Sequence, residues 1–381
     1  MTALAGAAAA AALISLLLLG VNVLVFRPLG EAAPPLEWPS VSVVIPARDE
    51  ERDLARTLEA HAESSYPRLE VIVVDDRSTD RTGEIARRFA ERDARFRVVT
   101  GVEPPPGWLG KPHALHEGAG AASGEWLLFA DADVVYGRDA IRRAVAAALR
   151  RSLALLCLLP RLETRGFWEG VVMPNIYALL YLGPGFVTQI DRVKAFAGGS
   201  GSGNLVERRG YEASGGHAAI RDAVIDDLGL AISMKRAGKR TRAFPAYDDV
   251  RVRMYRGFRE AFDGFSKNVA YLGPPVPALI LPLAMFVLAA APWLVLALPA
   301  SSLAKAFAAA AIAATLLGRV AVARVTRTPV WSALFHPLMI GVWTGIAMRS
   351  WYRRVVRRQV IWRGRTLAAP NEKREDSRGM P

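Results

Sequence analysis

The stretch EWLLFADAD, residues 125–133, decides the fold. Trp126, Leu127, Leu128 and Phe129 run without a polar residue and lead through Ala130 to two aspartates one residue apart, Asp131 and Asp133. A short continuous apolar run bounded by polar residues fits a strand buried on both faces. Three more such runs precede it: VSVVIP at 41–46, LEVIVVDD at 69–76 and RFRVVT at 95–100. Between them, residues 50–63 and 79–93 carry apolar side chains at helical spacing. Strands alternating with helices predict an α/β domain built on a mostly parallel sheet. Ligands of such sheets sit at the carboxyl ends of the strands. The acids fall there: Asp75 and Asp76 end the second run, Asp131 and Asp133 the fourth.

Outside this region the chain changes character. It has 381 residues, of which 52% are hydrophobic and 22% charged, so disorder, a disulfide scaffold and a fibrous repeat are excluded. Residues 1–26, 268–304 and 328–348 contain no Asp, Glu, Lys or Arg. Residues 3–26 are long enough to span a bilayer, and the first twelve residues lack the basic start of a cleaved signal peptide. The first cation is Arg27, which orients the chain beyond it toward the cytoplasm. Residues 275–300 are also long enough to span, as are 301–321 if Lys305 snorkels. Residues 330–348 are a third C-terminal candidate. Seven arginines between Arg349 and Arg365 come after them, and a complete third crossing would carry those outside. A re-entrant or interfacial course is therefore expected for 330–348, with a full span against the charge rule as the alternative, which gives one N-terminal and two to three C-terminal transmembrane helices. The predicted organisation is an anchor at 1–27, an α/β domain at 38–270, a membrane region at 275–350 and a basic segment with a polar tail at 351–381.

Net charge is +13. With no zinc spacing and no RNA-binding aromatic signature, the excess is assigned to a membrane surface and not to nucleic acid. Residues 167–190, apolar and aromatic but broken by Pro174 and Pro184, are expected as helical pieces against the bilayer or over a lipid groove, with core packing as the alternative. The single cysteine, Cys157, lies in an apolar run and is expected as an inert core thiol. His113, His116, His217 and His336 show no metal-ligand spacing and are expected in structural roles. The glycine-rich run at 198–203 lacks the Gly-Lys-Ser/Thr ending of a phosphate-binding loop and is expected as a flexible loop beside an acceptor site.

Asp131 and Asp133, at an exposed strand end, can address one small volume, and hard carboxylate oxygens suit Mg²⁺ or Mn²⁺. The block VVDDRSTD at 73–80 is a strand, an acid pair and a turn. Ser78, Thr79 and Asp80 can cap the next helix, which leaves Asp75 and Asp76 available to a base or ribose.

Several ordered motifs join these blocks: VIPARDE at 44–50, GWLGKPHAL at 107–115, GNLVERRGYEASGGH at 203–217 and DDLGL at 226–230. Together they resemble a family 2 glycosyltransferase of the GT-A fold, a Rossmann-like mostly parallel sheet. The GW-x-GK segment and WRGR at 362–365 resemble the membrane-anchored subset acting on carotenoid, hopanoid or ceramide-type lipids. The resemblance implies that Pro46, Ala47, Glu50, Asp75, Asp76, Lys111 and Asp131 hold a nucleotide-sugar, typically a UDP-sugar. It also implies that Asp131 and Asp133 bind Mg²⁺ or Mn²⁺, that Asp227 is the catalytic base and that transfer of a hexose to a lipid or isoprenoid acceptor inverts the sugar. Asp226 stands where the family has Glu. Residues 259–268, REAFDGFSKN, lack the Q-x-x-RW box of processive polysaccharide synthases. That counts against a polymer synthase, the second enzyme reading. The acids at strand ends count against a third, a non-catalytic membrane scaffold.

Overall fold

The computed structural model describes residues 1–30, 34–357, 359–362 and 365–368. Parts of the linker after Arg27, of the WRGR segment and of the polar tail lie outside the described residues.

The α/β region opens with β1 (Val41–Ala47), α2 (Leu54–Ala62) and β2 (Leu69–Asp75), after the long N-terminal helix α1 (Thr2–Val25). It continues through α3 (Thr82–Arg92), β3 (Phe96–Thr100), α4 (Gly110–Ala121), β4 (Trp126–Phe129), β5 (Val134–Tyr136) and α5 (Ala140–Arg150). Next come β6 (Leu155–Leu159), β7 (Arg161–Leu162), α6 (Phe167–Val172), α7 (Asn175–Leu182), β8 (Asn204–Glu207) and α8 (Arg208–Ala213). The region closes with α9 (Asp226–Arg236), β9 (Thr241–Pro245), β10 (Val250–Val252) and α10 (Gly257–Phe265). Seven strands form one sheet in the order β3-β2-β1-β4-β8-β6-β9. The first four are parallel, and β8 runs antiparallel to both β4 and β6. The apolar runs predicted as strands are these strands. Val43, Val44, Ile45, Val71, Ile72 and Leu127 are shielded completely, as expected for a sheet covered on both faces.

The helices start later than the spacing predicts. The expected helix over 50–63 begins at Leu54 and that over 79–93 at Thr82. The intervening polar residues fasten the loops after β1 and β2 to each other. Asp49 N donates to Ser78 Oγ (3.1 Å), Thr79 N to Asp49 Oδ1 (2.7 Å), Glu50 N to Thr82 Oγ1 (2.7 Å) and Glu51 N to Asp80 Oδ2 (3.0 Å). Two strand ends are thereby locked side by side. A small sheet, β5-β10-β7, brings the segment after β10 to the same end.

Three more helices complete the chain: α11 (Pro275–Ala297), α12 (Ser302–Thr326) and α13 (His336–Trp351). Four helical stretches are long and apolar enough to cross a membrane: Thr2–Val25, Pro275–Ala297, Ser302–Thr326 and Val330–Val356. Ala5, Ala8 and Ala9 of α1 meet Ala304, Ala308 and Ala311 of α12, small residues that let two helices approach closely. Asn22 ties α1 to the segment after α6. Its Nδ2 donates to the carbonyls of Tyr181 and Gly183 (both 2.8 Å), and its Oδ1 accepts from Phe186 N (2.7 Å). Residues 167–190 are therefore helical pieces as expected. They combine the two alternatives: Tyr177 and Tyr181 are buried, while Phe167, Trp168 and Leu179 remain exposed. In the last stretch α13 itself has 16 residues, a rise of about 24 Å against roughly 30 Å of hydrocarbon. Trp343 on α13 packs on Phe265 and donates to the Val172 carbonyl (2.9 Å), so this helix leans on the α/β region.

Candidate active site

At the carboxyl ends of β1 and β4 lies a crevice of about 250 Å³. Its floor is Pro46, Ala47 and Glu50 from β1 and its loop, with Asp76 after β2. Asp131, Asp133 and Lys111 also line it, together with Tyr255, Lys267 and Asn268 from the α10 region. Behind it lies a recess of about 10 Å³, lined by Lys111, Asp131, Asp226, Asp227, Gly201, Asn204 and His217 among others.

Lys111, at the start of α4, joins the two spaces. Its Nζ lies 2.8 Å from Asp131 Oδ1 and 3.3 Å from Asp226 Oδ1. Burial alone would lower its pKa, but the carboxylates of Asp131, Asp226 and Asp227 outweigh that and hold it well above the usual lysine value. Burial raises the carboxyls of Asp226 and Asp227 despite Lys111. Asp133 is pushed well above the ordinary range by burial, and then by the negative charges of Asp131, Glu50 and Asp53.

The sequence pairs Asp75 with Asp76, and the structure separates them. Asp76 lines the crevice and is gripped by Arg48 Nη1 (3.4 Å) and Arg77 Nη2 (2.8 Å). Asp75 is absent from the crevice lining. Its Oδ1 accepts from Ser78 N (3.1 Å), and its Oδ2 abuts Gly83, where a Cβ would collide with it. This geometry gives Asp75 a part in a tight turn at the end of β2. The second acid pair is split in the same way: Asp226 lines both spaces, whereas Asp227 lines the recess alone. The Asp227 carboxylate accepts from Leu228 N (2.7 Å) and from the backbone of Gly201.

The glycine-rich run is pinned against these acids and is not a loose loop. Asp131 N donates to the Gly201 carbonyl (2.8 Å), and a Cβ on Gly201 would overlap Asp131 Oδ2. His217 packs edge-on against Phe129, and its Nδ1 lies 3.0 Å from the Tyr211 hydroxyl. Burial, and then the nearby Lys111 charge, lower its pKa to about 3, so it is a neutral structural imidazole. Cys157 is fully buried, and burial raises its thiol. Tyr255 and Asn268 escaped the sequence reading. They reach the crevice only through the packing of α10, and nothing in their local sequence signals it.

The donor set suits a hard divalent cation. Asp133 is a half-buried carboxylate that feels the negative charges of Asp131, Glu50 and Asp53, an arrangement that an added cation relieves. Among the described residues no group of three or more His, Cys, Asp or Glu is disposed to hold a metal ion unaided. A Mg²⁺-type site of one or two carboxylates completed by substrate phosphates fits Asp131 and Asp133.

Residues 42–207 match the model of Glycosyl transferase family 2. The chain carries a family 2 glycosyltransferase domain. It is 28% identical over 236 residues to the 4,4'-diaponeurosporenoate glycosyltransferase of Staphylococcus aureus (strain USA300), over 61% of this chain and 61% of that one. The match thus spans less than two thirds of that relative's length. A mannosyltransferase of Pyrobaculum calidifontis, solved in complex with GDP-Man and Mn²⁺, superposes with a TM-score of 0.62 and 21% identity. That superposition covers 93% of this chain and 99% of the other. The glycosyltransferase domain therefore has the GT-A fold, and the likeness extends into the apolar helices.

Proposed function

We propose that this glycosyltransferase moves a hexose from a nucleotide-sugar, a UDP-sugar by preference, to the hydroxyl or carboxyl of a lipid or isoprenoid acceptor at the cytoplasmic face of the cell membrane. The observation that carries this is the convergence of Lys111, Asp131 and Asp226, both acids lying within 3.3 Å of the Lys111 ammonium, beside Asp76 and Asp133 in one crevice at the strand ends. The relative's printed name, a carotenoid-acid glycosyltransferase, supports an isoprenoid acceptor. Arg27, directly after the first apolar helix, supports the cytoplasmic orientation.

Asp131 and Asp133 would hold Mg²⁺ or Mn²⁺, which when bound offsets charge on the departing diphosphate. Lys111 adds a fixed cation beside that charge. Pro46, Ala47, Glu50 and Asp76 would hold the nucleotide. The acceptor proton goes to the Asp226–Asp227 pair. The family resemblance assigns this role to Asp227. Exposure to the crevice favours Asp226, with Asp227 held behind it by two backbone N–H groups. General-base assistance of this kind contributes about 10²–10⁴-fold. A carboxylic acceptor is already ionised near neutral pH and needs the base less. Attack from the face opposite the diphosphate inverts the anomeric centre. Incubation with UDP-glucose and a polyprenyl acceptor, with and without Mn²⁺, tests the reading: a glycosylated lipid that appears only with metal supports it. Absence of transfer from every nucleotide-sugar, with lipid extracts unchanged by mass spectrometry when the protein is expressed, overturns it.

A further inference from the structure

A second cavity, of about 400 Å³, lies between α7, α11 and α13. Its wall is formed by Leu179, Ala278, Leu281, Met285, Ile340 and Trp343, with few polar atoms. The two hydroxyl or indole donors on that wall are already satisfied: Thr344 Oγ1 donates to the Ile340 carbonyl (2.9 Å) and Trp343 Nε1 to the Val172 carbonyl (2.9 Å). The mouth is rimmed by Leu272, Leu281 and Phe196, all largely exposed, and α11 is a helix apolar enough to cross a membrane. One stretch of chain borders both this cavity and the catalytic crevice. Gly264, Lys267 and Asn268 line the crevice, while Val269, Leu272 and Gly273, next along the chain, line the apolar cavity. Ten residues of chain thus form a threshold that is polar on one side and apolar on the other.

We infer that this cavity holds the hydrocarbon chain of the lipid acceptor, which enters sideways from the bilayer and presents its polar end across residues 264–269 to Lys111 and Asp226. The inference rests on the proposed glycosyl transfer and adds the place and the direction of the acceptor. A volume of this size takes a drug-sized body or one section of a longer chain. The rest of an isoprenoid or acyl chain stays in the membrane beside α11. A bilayer phospholipid, with two chains and a bulky headgroup, fits a single apolar slot less well than a one-chain lipid does.

The test uses the full chain in phosphatidylcholine–phosphatidylglycerol nanodiscs and two photoactivatable C16 fatty acids, with the diazirine near the carboxylate or near the methyl end. Mapped cross-links are expected at 264–269 for the first probe, and at 278–285 and 340–347 for the second. Ala278→Trp, which fills the cavity, is expected to cut both at least fivefold, and the milder Ala278→Leu to cut them about twofold. Labelling of the exposed Leu17 face of α1 serves as the bilayer reference. Equal labelling of the cavity and the Leu17 face, or the same map for both probes, overturns the assignment. So does cavity labelling that both variants leave intact. Binding of UDP and GDP is measured in the same discs. Nucleotide binding without cavity labelling removes this inference alone, whereas cavity labelling with no nucleotide binding removes the glycosyl-transfer reading on which it rests.

Discussion

Replacing Lys111 with Met keeps the length of the side chain and removes its charge, leaving Asp131, Asp226 and Asp227 without their shared cation. Exposure sets the magnitude. An exposed ion pair contributes up to about 1 kcal/mol, and breaking a buried one costs roughly 3–5 kcal/mol. Side-chain exposures here are 24% for Lys111, 37% for Asp131 and 10% for Asp226, so about 2–3 kcal/mol is expected where the acids are ionised. At roughly 2–4 °C per kcal/mol for a domain of this size, that is a fall in Tm of about 5–10 °C. The sign with pH is fixed by the acids. Burial holds Asp226 and Asp227 above the ordinary carboxylate value even beside Lys111. A carboxyl raised on folding contributes stability at low pH and loses it as pH rises through the folded value. Without Lys111 both values rise further. The gap between parent and Lys111→Met should therefore widen as pH rises from 5 to 8. Thermal unfolding monitored by intrinsic fluorescence in EDTA, at half-unit steps of pH, measures it. A Tm difference that is constant with pH, or below about 1 °C throughout, would refute the account of Lys111 as counter-ion to this acid cluster.

Asp133→Asn removes one of several crowded like charges, so Tm should hold or rise by a degree or two while Mn²⁺ no longer tightens UDP binding. Calorimetry with and without Mn²⁺ reads both parent and variant, and equal metal enhancement in the two would exclude Asp133 as a ligand. Gly201→Ala places a methyl on Asp131 Oδ2, so Mn²⁺-dependent binding should weaken at least tenfold with little change in Tm. Unchanged binding would show that Asp131 has room to move. Asp226→Asn and Asp227→Asn divide the base assignment: kcat with a hydroxyl acceptor should fall about 10²–10⁴-fold for the one that takes the proton and much less with a carboxylic acceptor. Parent-like activity of both variants on the hydroxyl acceptor would exclude a base in this pair.

Sequence and structure agree wherever one residue type repeats along an element. The parallel strands were readable because a sheet covered on both faces needs unbroken Val, Ile and Leu, and the strand-end acids were readable because nothing apolar explains them. Legibility failed between neighbours. Adjacent residues on a strand or at a helix start face different ways, so Asp75 and Asp76, or Asp226 and Asp227, are equivalent as letters and distinct in space. Register and the bonds of Ser78 N, Leu228 N and Gly201 decide between them. The antiparallel β8 was hidden for another reason. Its polar ends, Asn204 and Glu207, make it look like loop, yet it fills the gap between β4 and β6. Asn204 then reaches from β8 to the Asp227 carbonyl (3.0 Å). The insertion of this one reversed strand thus brings the glycine-rich run and the start of α9 to the end of β4. Without it Asp131 would have neither Gly201 nor Asp226 beside it. The site therefore depends on the least sequence-evident strand of the sheet as much as on the aspartates that announce it.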